Sequence, residues 1–325
     1  MAGKTLLIGD IGGTNARFAL SSIKKPGFTD VQTLKCAEFG SADDAIKHYL
    51  KEVGAKSPDV ICLAAAGPIV DQRVRFTNNP LKIAATQLAE HFGIEKVRLL
   101  NDFEAIAYSI PFLSEADCLP FGLPETGSLD ADHYTVGIIG PGTGLGSVGL
   151  RKHGELLIPI AGEASHGGFA PESNVQIDML SVLRERYDRV SAERFVSGPG
   201  LENIFWALCR IHDEQRPQLT AAEIFAKATD RSDPRAAEAV QVFFEMLGQV
   251  AGDFALAIGA KDGIFIAGGI VRRYPVLLEN SRFRSGFEAK GRHRSLMEQI
   301  PTKLILHEQP GLLGASYCAL QLGRG

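Results

Sequence analysis

Leu6-Leu7-Ile8-Gly9-Asp10-Ile11-Gly12-Gly13-Thr14-Asn15-Ala16-Arg17-Phe18-Ala19-Leu20 is the stretch from which the rest of the chain is read. Two apolar, strand-like runs flank a loop of glycines, one carboxylate and one hydroxyl. Glycine lets the backbone bend sharply, so consecutive N–H groups can converge on phosphate oxygens with no side chain in the way. A carboxylate at Asp10 would repel bound phosphates unless a divalent cation lay between them, so the stretch predicts a nucleotide carried with Mg²⁺. A Walker A loop requires a lysine and opens a helix; this loop has no lysine and runs into a second strand. An ordinary glycine-rich hairpin turn would use the same residue types.

A second copy of the pattern favours the phosphate reading. Residues 134–150, Tyr134-Thr135-Val136-Gly137-Ile138-Ile139-Gly140-Pro141-Gly142-Thr143-Gly144-Leu145-Gly146-Ser147-Val148-Gly149-Leu150, again read strand, glycine loop with threonine, strand. Two such loops predict a duplicated unit with one phosphate-facing hairpin in each half. Gly144 to Gly149 formally satisfies G-x-G-x-x-G, but that dinucleotide fingerprint needs a helix directly after the loop. Residues 147–160 are rich in glycine and β-formers and include Pro159, so they are expected to continue as sheet.

The 325 residues can bury a large core and favour two domains over one. With 45% apolar and 22% charged residues the composition is that of a globular protein, and no apolar run approaches the ~20 residues a bilayer span needs. No membrane association is expected. Residues 1–4 lead straight into the first strand without a signal-peptide core, which predicts a cytoplasmic protein. Five scattered cysteines without a C-x-x-C pair fit reduced thiols and argue against a zinc cluster. A formal net charge of −4 gives no basic field for nucleic acid, so phosphates must be held by backbone amides, helix N-termini and a metal. The local cluster Arg282, Arg284, Lys290, Arg292, His293 and Arg294 reads as a solvated surface.

Along the chain, strands are expected at 5–9, 16–21, 60–66, 97–100, 263–267 and 304–307. Helices are expected at 43–53 (capped by Ser41), 84–92 (ending at Gly93), 103–110 (stopped by Pro111), 200–211, 221–228, 234–258 and from 312 onward. Ser173 and Gln176 read as a capping box with Val175, Met179, Val182 and Leu183 on one face. The Pro/Gly-rich segment 111–127 is the expected domain boundary.

Asn101-Asp102 ends an apolar strand, where open α/β sheets place their ligands. A carboxylate there can take a proton from a substrate hydroxyl attacking phosphorus, and the neighbouring amide can fix other hydroxyls of the same polyol. Helix capping is the competing use of both residues. Glu163 and His166 lie in Ala161-Gly162-Glu163-Ala164-Ser165-His166-Gly167-Gly168, a glycine-rich loop expected to order over a ligand or by close packing. Ser165 and His166 are adjacent and lack a G-x-S-x-G elbow, which speaks against a serine hydrolase.

Asp10-Ile11-Gly12-Gly13-Thr14-Asn15-Ala16-Arg17, Leu100-Asn101-Asp102-Phe103, Gly140-Pro141-Gly142-Thr143-Gly144-Leu145-Gly146, Ser197-Gly198-Pro199-Gly200-Leu201 and Ile266-Ala267-Gly268-Gly269-Ile270-Val271 together resemble the bacterial glucokinase family, in order and over nearly the whole chain. The resemblance implies the α/β, two-lobed actin-like ATPase (ribonuclease H-like) fold, with a ligand cleft between a small domain (1–112 plus 303–325) and a larger one (113–302). It further implies transfer of the γ-phosphoryl group of ATP to the 6-hydroxyl of glucose, with closure of the lobes excluding water, and a homodimer. By the same resemblance Asp102 is the general base, and Asn101, Asp102, Glu163, His166 and Glu193 bind the sugar. Gly9, Asp10, Ile11, Gly12, Gly13, Thr14, Gly142, Thr143, Gly144 and Gly268 hold the nucleotide, with Asp10 on Mg²⁺ through water. Ala164-Ser165 stands where the family's usual form has glycines. The alternatives are a kinase of the same fold for another hexose or N-acetylated hexose, and a non-catalytic sugar- and ATP-binding regulator.

Overall fold

The computed structural model describes residues 3–76, 82–122, 129 and 132–324, and the chain divides into two compact units, Met1–Ser114 with His307–Gly325, and Glu115–Leu306. Part of the Pro/Gly-rich segment, 123–127, lies outside the described residues.

The first unit is built on β1 (Leu6–Ile11), β2 (Asn15–Ser21), β3 (Phe28–Lys35), α1 (Ala42–Glu52), β4 (Val60–Ala65), β5 (Ile69–Val70), β6 (Arg73–Arg75), β7 (Lys82–Ala84), α2 (Ala85–Phe92), β8 (Val97–Asn101) and α3 (Asp102–Ser109). The main sheet has the order β3-β2-β1-β4-β8; β1 pairs antiparallel with β2 and parallel with β4, and β4 parallel with β8. All six residues of β4, Val-Ile-Cys-Leu-Ala-Ala, are buried, as expected of a parallel strand covered on both faces. Ser41 Oγ accepts from Asp44 N at 3.1 Å and starts α1; Gly93, at φ +64°, ends α2 in a conformation that strains any other residue. Pro111 lies in a 3₁₀ turn, Ile110–Phe112, that extends α3 rather than stopping it outright. Two features were not expected: β3, whose polar Phe28–Lys35 sequence suits an exposed edge, and the small antiparallel sheet β5-β6-β7.

The second unit contains β9 (Cys118–Pro120), β10 (His133–Pro141), β11 (Leu145–His153), β12 (Leu156–Ala161), α4 (Asn174–Leu183), α5 (Gly198–Ile211), α6 (Ala221–Thr229), α7 (Pro234–Ile258), β13 (Ile264–Ile266), α8 (Gly269–Arg272), α9 (Pro275–Glu279), α10 (Phe283–Glu288), α11 (Arg294–Met297) and β14 (Thr302–Ile305). Its sheet runs β12-β11-β10-β13-β14-β9. The glycine-rich residues after 144 form a strand and not a helix, which removes the dinucleotide fingerprint. The final strand starts two residues before the expected 304–307 and pairs with β13 in this second sheet. The chain then returns to the first unit as α12 (Pro310–Arg324), packing on β1, β4 and α3.

Two local expectations are corrected by long-range partners. Ser173 Oγ does accept from Gln176 N, but the Gln176 side chain accepts from Glu172 N at 2.8 Å and pairs with buried Gln249, so no reciprocal box forms. In the basic cluster, the Lys290 side chain is only 5% exposed, held by Glu172 (3.0 Å) and Asp253 (2.8 Å). Arg284 pairs with Glu288 and donates to Ile300 O at 2.9 Å. These two cations are structural, not a solvated surface. No described helix is long and apolar enough to cross a membrane.

Candidate active site

In the first unit, three parallel strands end side by side: Asp10 pairs with Ala64, and Ala65 with Asn101. The ends of β1 and β8 therefore bring Asp10, the Gly12-Gly13-Thr14 loop, Asn101 and Asp102 to one sheet edge, where such sheets hold ligands. The loop closes through Gly12 N donating to Asn15 O at 2.9 Å. A Cβ added at Gly13 would meet nothing within 4 Å, and one at Gly12 only Asn15 O at 3.6 Å, so internal packing does not require glycine at either. Gly9 is different. Its added Cβ would stand 2.8 Å from Leu63 Cδ2 and 3.0 Å from Phe18 Cδ1, so packing alone demands glycine there, and Ile11 is likewise buried core.

Asn101 caps α3: its Oδ1 accepts from Phe103 N (2.9 Å) and Glu104 N (3.4 Å), while Nδ2 donates to Gly67 O at 3.3 Å. The capping use and the site position thus coincide, and capping fixes the direction of the next residue. Burial first and the nearby Asp10 charge second raise the Asp102 carboxyl to about 6, against the opposing hydrogen bonds from Phe103 N, its own N–H and Asn101. Asp10 is also raised by burial, against the pull of Arg17, whose Nη1 lies 3.8 Å from Oδ2. Gly311, in the first turn of α12, approaches Asp10 so closely that a Cβ would stand 3.4 Å from Oδ2. The same helix crosses α3 where Gly314 faces the Ala105 carbonyl, a contact any side chain would block, so one close crossing seats both α3 and α12.

In the second unit, the loop Gly142-Thr143-Gly144 closes through Gly142 N to Gly144 O at 2.7 Å, and Gly198 N donates to Gly142 O at 2.8 Å. The N-terminus of the 14-residue α5, capped by Ser197 Oγ, therefore abuts this loop, an arrangement suited to anions. Leu145 N donates to Glu193 Oε2 at 2.9 Å, and a Cβ on Gly144 would overlap that oxygen. Gly268 follows β13 at φ +99° against the Pro141 carbonyl, so glycine is required by both conformation and space.

Glu163 precedes and His166 ends the 3₁₀ turn Ala164–His166, both side chains exposed, with His166 Nε2 3.8 Å from Glu163 Oε2. The loop's order comes from packing: Ser165 is buried, Gly168 forms a β-bridge with Ser191, Ala192 N donates to Gly167 O at 2.9 Å, and Arg189 Nη1 donates to His166 O at 2.6 Å. That bridge also brings Glu193 next to the loop. Sequence reasoning missed Arg17, Arg189 and Gly311 as supports. It also missed Gln72, whose side chain exchanges two hydrogen bonds with Leu99 N (2.8 Å) and O (3.3 Å) and completes the free edge of β8. Among the described residues, no group of three or more His, Cys, Asp or Glu forms a metal cluster.

The fold is that of the actin-like ATPase class to which sugar kinases belong. A family model described as glucokinase matches residues 7–322. A glucokinase of Nitrobacter hamburgensis is 40% identical over 97% of each chain, and one of Caulobacter vibrioides is 41% identical over 98% of this chain and 96% of the relative. The solved glucokinase from an Antarctic psychrotroph superposes with a TM-score of 0.88 at 32% identity, covering 98% of this chain and 99% of that one. The chain belongs to the glucokinase family.

Proposed function

We propose that the protein is an ATP-dependent glucokinase, moving the γ-phosphoryl group of ATP to the 6-hydroxyl of glucose to give glucose 6-phosphate and ADP. The observation that carries the mechanism is Asp102: a carboxyl at a strand tip, raised to about 6, in a family whose members phosphorylate a sugar hydroxyl. At neutral pH it is ionised yet basic enough to accept the proton of the attacking hydroxyl. Asn101, Glu163, His166 and Glu193 bind the remaining sugar hydroxyls, each offering a hydrogen-bonding group to a ring alcohol that both donates and accepts. The two glycine loops hold the phosphates with backbone N–H groups, which suits a chain of net negative charge.

Asp10 offers a hard carboxylate oxygen beside the first loop, a donor that fits Mg²⁺ held through water. When bound, Mg²⁺ neutralises charge on the β- and γ-phosphates. Asp10 would hold the ion beside the first loop, and Arg17, 3.8 Å from Asp10, offsets part of the repulsion between Asp10 and Asp102. The family membership further supports a cytoplasmic enzyme at the entry to glycolysis, acting as a homodimer. A coupled assay of ADP release with glucose, mannose, fructose and N-acetylglucosamine, and with ATP against other nucleotides, tests the reading. Glucose with ATP should give the highest kcat/KM. Equal or higher values with another sugar would assign that sugar instead, and no ADP release from protein that binds both ligands would make it a regulator.

A further inference from the structure

Against the 164–170 segment lies a cavity of about 230 Å³ within the second unit, lined by neither Glu163 nor His166. Its floor is Ile139 and Ser147, directly paired on β10 and β11. Its wall is one stripe of α7, Val250, Asp253, Phe254 and Ala257, spaced i, i+3, i+4 and i+7. Residues of the 164–170 segment form the roof. Ser147 is 8% exposed, and among the described residues no protein group hydrogen-bonds its Oγ. A buried hydroxyl left unpaired costs about 1–3 kcal/mol, so a serine here is a feature in need of a partner. The acid at the rim, Asp253, shares the Lys290 ammonium (2.8 Å) with Glu172 (3.0 Å), so it already has a cationic partner.

We infer that this cavity binds a small neutral molecule with an apolar, monocyclic body and one hydrogen-bonding group directed at Ser147, and that its occupancy shifts sugar affinity through the shared loop. The volume is below that of drug-sized pockets and matches a single substituted ring. The mostly apolar lining offers a sugar or a nucleotide few partners, and the one charged lining group, Asp253, is already held by Lys290. The roof is the strip of chain that carries Glu163 and His166, so a ligand beneath it and a sugar above it act on one element and their effects must be reciprocal. The coupling rests on the proposed glucose site; the cavity's own binding does not.

Fluorine NMR of para-fluorophenol and para-fluorotoluene separates the two parts. The phenol should bind the full protein about fivefold more tightly than its hydroxyl-free analogue, the worth of one hydrogen bond. Ser147→Ala should abolish that preference, and Ala257→Phe at the exposed rim should weaken both probes. Calorimetry with glucose alone should show an affinity change of about fivefold or more when the phenol is saturating, and the same factor in reverse. Equal binding of the two probes, or binding unchanged in both variants, overturns the site. Binding with glucose affinity unmoved overturns the coupling. Intact probe binding in a protein that binds no glucose would instead count against the proposed substrate.

Discussion

The two glycine hairpins share a backbone design and differ in where their charge comes from. Each joins two antiparallel strands by three residues, Gly12-Gly13-Thr14 or Gly142-Thr143-Gly144. Each closes by an N–H of the first loop glycine reaching back across the turn, and each has a parallel strand, β4 or β13, on its other side. The first hairpin carries its own carboxylate, Asp10, with Arg17 beside it and Asp102 near it at the same edge. The second has no acid of its own and borrows Glu193, fastened to Leu145 N, while the N-terminus of α5 supplies positive potential. One hairpin design thus ends in two carboxylates beside an arginine in the first unit, and in backbone donors, a helix N-terminus and a single glutamate in the second.

The sharpest way to break this contrast is Asp102→Asn. If the chemistry belongs to the first edge, kcat falls by ~10²–10⁴ while glucose binding measured by calorimetry persists. A loss confined to KM would move the chemistry elsewhere. Next come the glycines. Gly9→Ala should cost about 1–3 kcal/mol in denaturant unfolding, because its methyl enters Leu63 and Phe18. Gly13→Ala should leave stability within ~0.5 kcal/mol, since nothing in the protein fills that space, and raise the KM for ATP instead. Gly144→Ala should do both, by driving Glu193 off Leu145 N; a charged hydrogen bond of this kind is worth about 1.5–3 kcal/mol.

A smaller effect concerns stability against pH. Asp102's folded-state value, about 6, lies above the ordinary carboxylate value, so the folded protein holds that proton more tightly than the unfolded chain. Its contribution is fully present below about pH 4 and is lost as pH rises through about 6. Asp102→Asn should therefore gain on the parent protein by about 1–3 kcal/mol between pH 4 and 7, read from denaturant midpoints. An unchanged difference across that range would show that Asp102 is not desolvated.

Local pattern made the hairpins, the central strands and most helix ends legible: apolar runs, glycine loops and caps such as Ser41 act over a few residues. Supports that act across the chain were not. Gln72 completes β8 from 27 positions away, and Arg189 reaches the His166 carbonyl from 23. Lys290 looked like solvated charge because its partner Glu172 is 118 residues distant. Gln176 looked like half of a capping box until Gln249, 73 residues on, took its side chain. The edge strand β3 escaped notice because an exposed edge need not be apolar. At Asn101 the sequence signal was ambiguous for a physical reason: the side chain that caps the helix sits at the strand end beside Asp102, where the candidate site was expected.

The pH dependence of kcat/KM for glucose tests the central claim most directly, because it reports the free enzyme's essential base. The account predicts an acid limb centred near the Asp102 value of about 6, with rate falling tenfold per pH unit below it, and no such limb in the residual activity of Asp102→Asn. A limb at the ordinary carboxylate value near ~4, or one near 6 that survives the substitution, would contradict it.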